Sequence, residues 1–413
     1  MKRAIILLIV FSQCISVFAQ FSMEEYLSNA ISDAELQFFK SRQDFVSENG
    51  FKSPILREVE FRARVNSFED GFDDYRLRFS PLNPLERSAN KNYRNEVRQQ
   101  LSLSYLLNLE EVLLSRYEIM IEHWQLTQEK VLVEANIEFY VSMLTLIRNQ
   151  NSSDNIKDFI SMDKALLEAQ LSFESIQNEI SILEDMIRQT YNFPGTINWG
   201  TDDLVEMTTI KEWLSNQKNL DLNSNLHVKN EQQKVAVSQS EYKVEKQESF
   251  SNIGYLQAEY REDEKNTFGQ NLGMQIGVSI PITNPDKPDL ARKEMKLMED
   301  TQKIEQEKTE LENHFENTAK RLESRLAQYD MVVARMKTYE DAKFPIGKTN
   351  HELDLLVELQ KFKSDMAEKK VSMAESIYKD YIHLISISGG LSSAPYINYL
   401  SKTRSTFQLV LDN

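Results

Sequence analysis

From residue 85 to residue 148 the chain carries no glycine and no proline. At 1.5 Å per residue, an unbroken helix over that stretch is roughly 90 Å long, far beyond what a globular domain needs. Apolar residues step along it by threes and fours: Leu103, Leu106, Leu109 (or Glu110), Leu113, Tyr117, Met120 and Trp124, then Val131, Ala135, Glu138 (or Phe139) and Leu146. A polar turn over residues 149–154 comes next, and a return helix over 156–190 carries Ile160, Leu167, Leu171, Ile176, Ile180, Leu183 and Ile187. It stops at Asn192-Phe193-Pro194-Gly195. The constraint is severe: this chain builds a long helical hairpin or nothing compact at all.

Ahead of that hairpin the periodicity is different. Val59, Phe61, Ala63 and Val65 alternate with Glu60, Arg62, Arg64 and Asn66, and Tyr75, Leu77 and Phe79 alternate with Asp74, Arg76 and Arg78. Period two with one greasy and one charged side predicts a β-hairpin over 59–81, its acidic turn at 67–73 containing Gly71. An opening helix comes first, with Ser22 and Glu25 as a capping box and Phe21 placed for a hydrophobic staple, running to about Asn49-Gly50.

The same order then recurs. A helix from about residue 224 to 249 leads to Leu256, Ala258 and Tyr260 alternating with Gln257, Glu259 and Arg261, then to Met274, Ile276, Val278, Ile280 and Ile282. These predict a second hairpin over 253–282. A long helix over 289–343 has the seam Ile304, Leu311, Phe315, Leu322, Leu326, Tyr329, Val333 and Met336, spaced in sevens, fours and threes. It breaks at Phe344-Pro345-Ile346-Gly347, and Thr349 with Glu352 caps a return helix over 350–388 that Gly389-Gly390 ends. Its stripe is Leu356, Leu359, Met366, Met373, Ile377, Tyr381 and Leu384. Two repeats, 20–200 and 224–390, offset by about 190 to 200 residues, thus flank a linking region 201–223 that holds a capping box at Thr209 and Glu212; a tail without clear pattern, 391–413, closes the chain. The expected fold class is mainly α with β: a duplicated unit of β-hairpin and long antiparallel helical hairpin.

Met1-Lys2-Arg3, a short apolar block and Val17-Phe18-Ala19 make a secretory signal over 1–19, with cleavage expected after Ala19. Cys14, the single cysteine, would leave with it; the alternative, lipidation at Cys14, meets a poor lipobox in Phe11-Ser12-Gln13. Without the signal, 46 basic residues stand against 64 acidic ones. So acidic a chain repels nucleic acid and anionic lipid heads. No later run is apolar enough for a transmembrane helix, but alternating strands of about ten residues are the length that crosses a bilayer as a tilted barrel. Four strands cannot close a barrel, for which about eight is the practical minimum. Copies of the chain would have to share one, three giving twelve strands and two giving eight. In that reading Val59, Phe61, Val65, Leu77, Phe79, Ile276, Val278 and Ile280 face lipid, while Arg62, Arg64, Arg76, Arg78, Gln257 and Glu259 face a lumen. The alternative is a soluble sandwich or a small sheet packed on helices.

The order of elements resembles the TolC-like outer-membrane efflux proteins of Gram-negative bacteria. The resemblance is carried by Met23-Glu24-Glu25-Tyr26-Leu27 in the opening helix, by the Gly277–Ile282 strand "GVSIPI", and by Gly347, Asp354, Leu356 and Gln360 after the second tip. It covers nearly the whole mature chain on short motifs. It implies a homotrimer with a twelve-strand outer-membrane barrel, continued by a periplasmic helical tunnel. It also implies helical tips that dock a periplasmic adaptor and an inner-membrane pump, as in tripartite efflux or type I secretion. Ser152, Ser153, Gly347, Lys348 and Thr349 are the tip candidates. Candidates for an acidic tunnel entrance are Asp354, Glu352, Asp154 and Asp158; the place where such proteins often carry a second aspartate holds Val357. Acids near helix N-termini also serve ordinary dipole pairing, worth tenths of a kcal/mol.

Five histidines, His123, His227, His314, His351 and His383, stand at no metal-ligand spacing, and the chain has no phosphate-cradling glycine loop and no nucleophile elbow. The methionines scatter along helix seams as packing residues. No enzyme, cofactor or metal is expected. Two function classes remain: a passive export channel, or a non-conducting periplasmic or surface coiled-coil scaffold that binds by its tips.

Overall fold

The computed structural model describes residues 22–48, 55–64, 74–149, 156–191, 197, 199, 204–217, 220–249, 253–261, 271–278, 287–341 and 350–409. The expected signal 1–19, the staple at Phe21, both helical tips and the hairpin turns lie outside them. In chain order the elements are α1 (Met23–Ser28), a 3-10 turn (Asn29–Ser32), α2 (Ala34–Glu48), β1 (Leu56–Arg64), β2 (Asp74–Pro81), α3 (Pro84–Asn149), α4 (Ile156–Tyr191), α5 (Met207–Asn216), α6 (Leu226–Ser249), β3 (Ile253–Arg261), β4 (Leu272–Val278), α7 (Lys287–Asp341), α8 (Asn350–Ile387), β5 (Tyr396–Ile397) and β6 (Thr406–Phe407). Hairpin, long helix and return helix thus occur twice in the expected order.

Local chemistry sets the boundaries. Ser22 and Glu25 form the reciprocal capping box, with Glu25 N donating to Ser22 Oγ at 3.1 Å and Ser22 N to Glu25 Oε2 at 3.0 Å. The opening helix is not continuous, as expected, but breaks at Asn29–Ser32, and Asp33 caps a new one by accepting from Glu35 N at 3.1 Å. Ser28, Asn29, Ser32 and Asp33 compete for their own backbone there, which favours a break over a through-helix. Pro84 opens α3 where its missing N–H costs nothing, and the Asn83 side chain accepts from Leu85 N at 3.0 Å. The cap expected at Thr209 is displaced: α5 starts at Met207 after Glu206, so Thr209 lies inside the helix. Gly389, at φ +77°, ends α8, with Gly390 N bonding Ile385 O at 2.8 Å.

The chain folds as two compact units, each drawing on both repeats: 1–37, 108–221 and 311–413 form the first, and 38–107 and 222–310 the second. The first unit has the larger apolar core, including Tyr26, Leu27, Leu113, Tyr117, Ile210 and Tyr381. Its tail is part of that core. Tyr117 Oη donates to Ile397 O at 2.9 Å and accepts from Tyr399 N at 3.2 Å, while Asn398 Nδ2 donates to Glu24 at 3.0 Å. Val205 N donates to Leu400 O at 2.8 Å, so the linking region is tied to the tail as well. Trp213 meets Tyr381 edge-on at 5.2 Å, Trp124 meets Tyr378 likewise, and Trp199 stacks against Tyr26 and His123. On α8 the buried Asp380 holds Arg321 and Arg325 of α7.

The expected helix stripes are half right. Leu109, Leu113, Tyr117 and Met120 are buried on α3, and Ile176, Leu183 and Ile187 on α4. Val131, Leu146, Ile160, Leu167 and Leu171 are exposed instead, and Val133, Met143, Leu144 and Ile147 take their place inside. These helices carry apolar residues on two faces, of which one chain covers only one.

In the second unit polar contacts knit the helices. Arg98 Nη2 caps the end of α2 by donating to Ser47 O at 2.9 Å, the Arg57 guanidinium grips Glu86 with both contacts at 2.9 Å, and Ser238 Oγ donates to Asp300 at 2.6 Å.

His123, buried on α3, lies 3.5 Å from Glu184 of α4, which also receives Arg188. Burial pushes the imidazole pKa below its usual 6.5, more than Glu184 raises it. The folded state therefore binds fewer protons than the unfolded chain at pH values below 6.5, so this site loses stability as pH falls through that value. Replacing His123 with Gln should flatten that part of a thermal-stability profile against pH; an unchanged slope between pH 7 and pH 5 would place the acid sensitivity elsewhere.

Candidate functional site: a two-faced sheet

β1 to β4 form one antiparallel sheet in the order β1-β2-β3-β4, all within the second unit. Its register sorts the residues by character. Val59 pairs with Phe79, Phe79 with Leu256, and Leu256 with Ile276. The next row is Phe61, Leu77, Ala258 and Met274, and the one after it Ala63, Tyr75, Tyr260 and Leu272. Directly opposed residues share a face, so one face of the sheet is apolar in every row. Tyr75, with Phe61 on one side and Tyr260 on the other, makes a small aromatic group at the end away from the helices.

The opposite face is polar in every row. Glu60, Arg78, Gln257 and Gln275 form one row; Arg62, Arg76, Glu259 and Gly273 the next; and Arg64, Asp74 and Arg261 the third. Ion pairs link them: Arg76–Asp74 at 2.8 Å, Arg261–Glu259 at 2.8 Å, Arg76–Glu259 at 3.6 Å and Arg78–Glu60 at 3.4 Å. Asp74 and Gln257 are buried beneath this network. Nearer the helices the Arg78 guanidinium lies 4.0 Å over the Tyr255 ring, and Tyr255 lies across Gly277.

The apolar face is uncovered. Met274 is 88% exposed, Ile276 71%, Phe61 65% and Val59 54%. Fully burying such a side chain is worth about 1.5 to 3 kcal/mol, so a continuous uncovered face of this kind is a contact surface. Among the described residues both edge strands also lack a neighbour on their outer side. β4, Leu-Gly-Met-Gln-Ile-Gly-Val, has none of the charges or prolines that usually protect a free edge.

Of the expected lipid-facing set, Val59, Phe61, Leu77, Phe79, Ile276 and Val278 lie on this one face, while Val65 and Ile280 are outside the described residues. Among the tunnel acids, Asp158 sits half-buried in the first turn of α4; Glu352 and Asp354 are in the first turns of α8, their side chains not described; Asp154 is outside, as are Ser152, Ser153, Gly347, Lys348 and Thr349. Val357 packs on an apolar cluster of Met143, Leu144, Ile147 and Met162 in the first unit. The expected lumen-facing set left out Arg261 and Gln275, although both stand at the polar parity of their strands, and sequence reasoning missed the Arg78–Tyr255–Gly277 stack. Among the described residues no cluster of three or more His, Cys, Asp or Glu side chains is arranged to hold a metal ion, and no helix is long and apolar enough to cross a membrane.

No protein-family model matches the sequence, and no curated protein matches it either. Solved structures do match in fold. The outer membrane protein VceC of Vibrio cholerae superimposes with a TM-score of 0.69 at 11% identity, over 89% of this chain and 96% of that one. The outer membrane channel MtrE of Neisseria gonorrhoeae gives 0.66 at 9%, over 94% and 91%. The transmembrane-channel protein CusC gives 0.69 at 8%, over 90% and 92%. The chain therefore has the fold of the TolC-like outer-membrane channels, as its sequence resemblance implied.

An added Cβ at Gly277 would stand 2.3 Å from the Tyr255 ring. Gly277→Ala should therefore destabilise the sheet by about 1 to 3 kcal/mol. The loss should largely vanish in a Tyr255→Ala background, read as the shift in denaturant midpoint across the double-mutant cycle. Equal losses in both backgrounds would mean that the ring does not rest on this glycine.

Proposed function

We propose that the protein is an outer-membrane channel: a homotrimer whose three sheets close a twelve-strand barrel, continued by a periplasmic tunnel of the α3–α4 and α7–α8 hairpins. It is a passive exit duct for substrates that an inner-membrane pump delivers through a periplasmic adaptor, as in tripartite efflux or type I secretion. The observation that carries this reading is the four-stranded sheet with a wholly apolar uncovered face and two open edges. In water such a sheet invites aggregation; in lipid its open edges cost several kcal/mol for each unpaired backbone group. Closure with two further copies removes both liabilities, and four strands from each of three chains is a size barrels adopt. The exposed Ile160, Leu167, Leu171 and Ile182 on α4 support the same assembly, because they offer an apolar face to neighbouring subunits.

Removal of residues 1–19 would release the chain into the periplasm for insertion. Asp354, Glu352, Asp154 and Asp158 are the candidates for the acidic entrance, and Ser152, Ser153, Gly347, Lys348 and Thr349 for docking of the adaptor. The likeness to VceC, MtrE and CusC supports the outer membrane as the location and the absence of catalysis, since those proteins are outer-membrane or transmembrane channels. A non-conducting scaffold would have no use for an apolar sheet face.

The test compares neighbours on β4. Ile276→Arg places a charge on the lipid face and should cost about 2 to 4 kcal/mol at mid-membrane depth, removing the heat-resistant trimer from outer-membrane fractions. Gln275→Arg, on the other face, should leave the trimer in place. If both variants accumulate equally, or if the parent washes off the membrane, the scaffold reading gains and the channel reading fails.

A further inference from the structure

The charges on the sheet's polar face are sorted along the strands. Nearest the helices are Glu58, opposite Ser80, and Glu60, opposite Arg78. The two rows furthest from the helices hold Arg62, Arg76, Arg64 and Arg261 against only Glu259 and Asp74. Each of those carboxylates is already engaged: Asp74 by Arg76 at 2.8 Å, and Glu259 by Arg261 at 2.8 Å and Arg76 at 3.6 Å. Arg62 reaches back to Glu60 of the neighbouring row at 2.5 Å and Arg261 pairs with Glu259, yet both side chains remain more than half exposed. The bias is local, because the whole chain has 48 basic residues against 64 acidic ones. Every cation on this face is arginine rather than lysine, so the charge persists at any physiological pH.

We propose that the outer half of the barrel is an anion-favouring ring and that the solutes leaving through it are anionic or carry acid groups. This rests on the channel reading above, in which the polar face lines water and the helix-distal end opens to the outside. Three copies triple the arginine excess in each row, and the low-dielectric wall of lipid around a narrow lumen concentrates its field. Rings of arginine or lysine are the usual way that pores favour anions. The inner rows, carrying Glu58 and Glu60, lack the excess, so the preference acts in the outer half of the strand wall, on the membrane side of the acidic turn sequences 67–73 and 262–266.

Gly273 supplies a reporter. It lies in the row of Arg62, Arg76 and Glu259, and a Cβ added there meets nothing closer than Glu259 O at 3.8 Å. In full-length protein carrying C14S, G273C gives a single thiol on the polar face and M274C one on the apolar face. Intact outer-membrane vesicles are treated with negatively and positively charged methanethiosulfonate reagents, each rate divided by that with a free thiol. For G273C the anionic reagent should be favoured at least threefold. The preference should disappear with R62Q/R64Q, survive R62K/R64K, and shrink in the unaltered arginine background when salt is raised from about 10 mM to about 1 M. A ratio of one or below at G273C, or a ratio insensitive to both salt and R62Q/R64Q, overturns the anion-favouring ring and leaves the channel reading standing. Labelling of M274C as fast as a free thiol overturns the lipid-facing assignment. A G273C thiol that neither reagent reaches overturns the water-lined lumen and this inference with it.

Discussion

Unpaired backbone hydrogen-bonding groups are the constraint on which the structure depends. Every strand of the sheet is satisfied on at least one side by its neighbour, but among the described residues β1 and β4 each have an outer side open. Lipid solvates apolar side chains and refuses bare N–H and C=O groups, whereas water does the reverse. A sheet with a fully apolar face and two open edges is at home in neither solvent as a single chain. Closing it with copies of itself would reconcile the two demands, and the proposed barrel gives the rest of the architecture its sense: short strands for the membrane and long helices for the aqueous side.

The two faces of the sheet divide the work. The apolar rows from Val59 to Ile276 and from Phe61 to Met274 are left for a partner, lipid in the proposed barrel, while the polar rows satisfy one another through arginine contacts to Glu60, Asp74 and Glu259. In the proposed channel, such a self-satisfied polar wall would stay in place while solutes pass, with the arginine excess in its outer rows. The Tyr255 ring, held flat between Arg78 and Gly277, is the same solution for a bulky side chain: it lies along the wall.

Much of this was legible in the sequence, for identifiable reasons. The alternation at Val59–Ala63 and Tyr75–Phe79 was readable because one face of the sheet is apolar and the other charged in row after row. The lengths of α3, α4, α7 and α8 came from the absence of glycine and proline and from caps whose partners lie within four residues. What failed was whatever depends on distant partners. The expected stripe on α3 placed Val131 and Leu146 inside, because a helix with two apolar faces shows one blended pattern and only packing separates them. The tail 391–413 had no pattern since it is held by single contacts, such as Tyr117 to Ile397 and Glu24 to Asn398, that join residues hundreds of positions apart. Thr209 looked like a cap because the motif is local, yet the chain enters α5 two residues earlier, where Leu204 and Val205 are pinned by the tail. Pairing between strands was legible in parity but not in partner, so the Tyr255–Gly277 contact stayed hidden.

The central claim is that β1 of one copy lies beside β4 of another and that three copies close the ring. Cysteines introduced at Arg62 on β1 and at Gly273 on β4, both on the polar face, joined in native membranes by a short bifunctional maleimide, read this directly. The account predicts covalent dimers and trimers with a ladder that ends at three. Monomers closed on themselves, no cross-link, or a ladder that continues past three would contradict it.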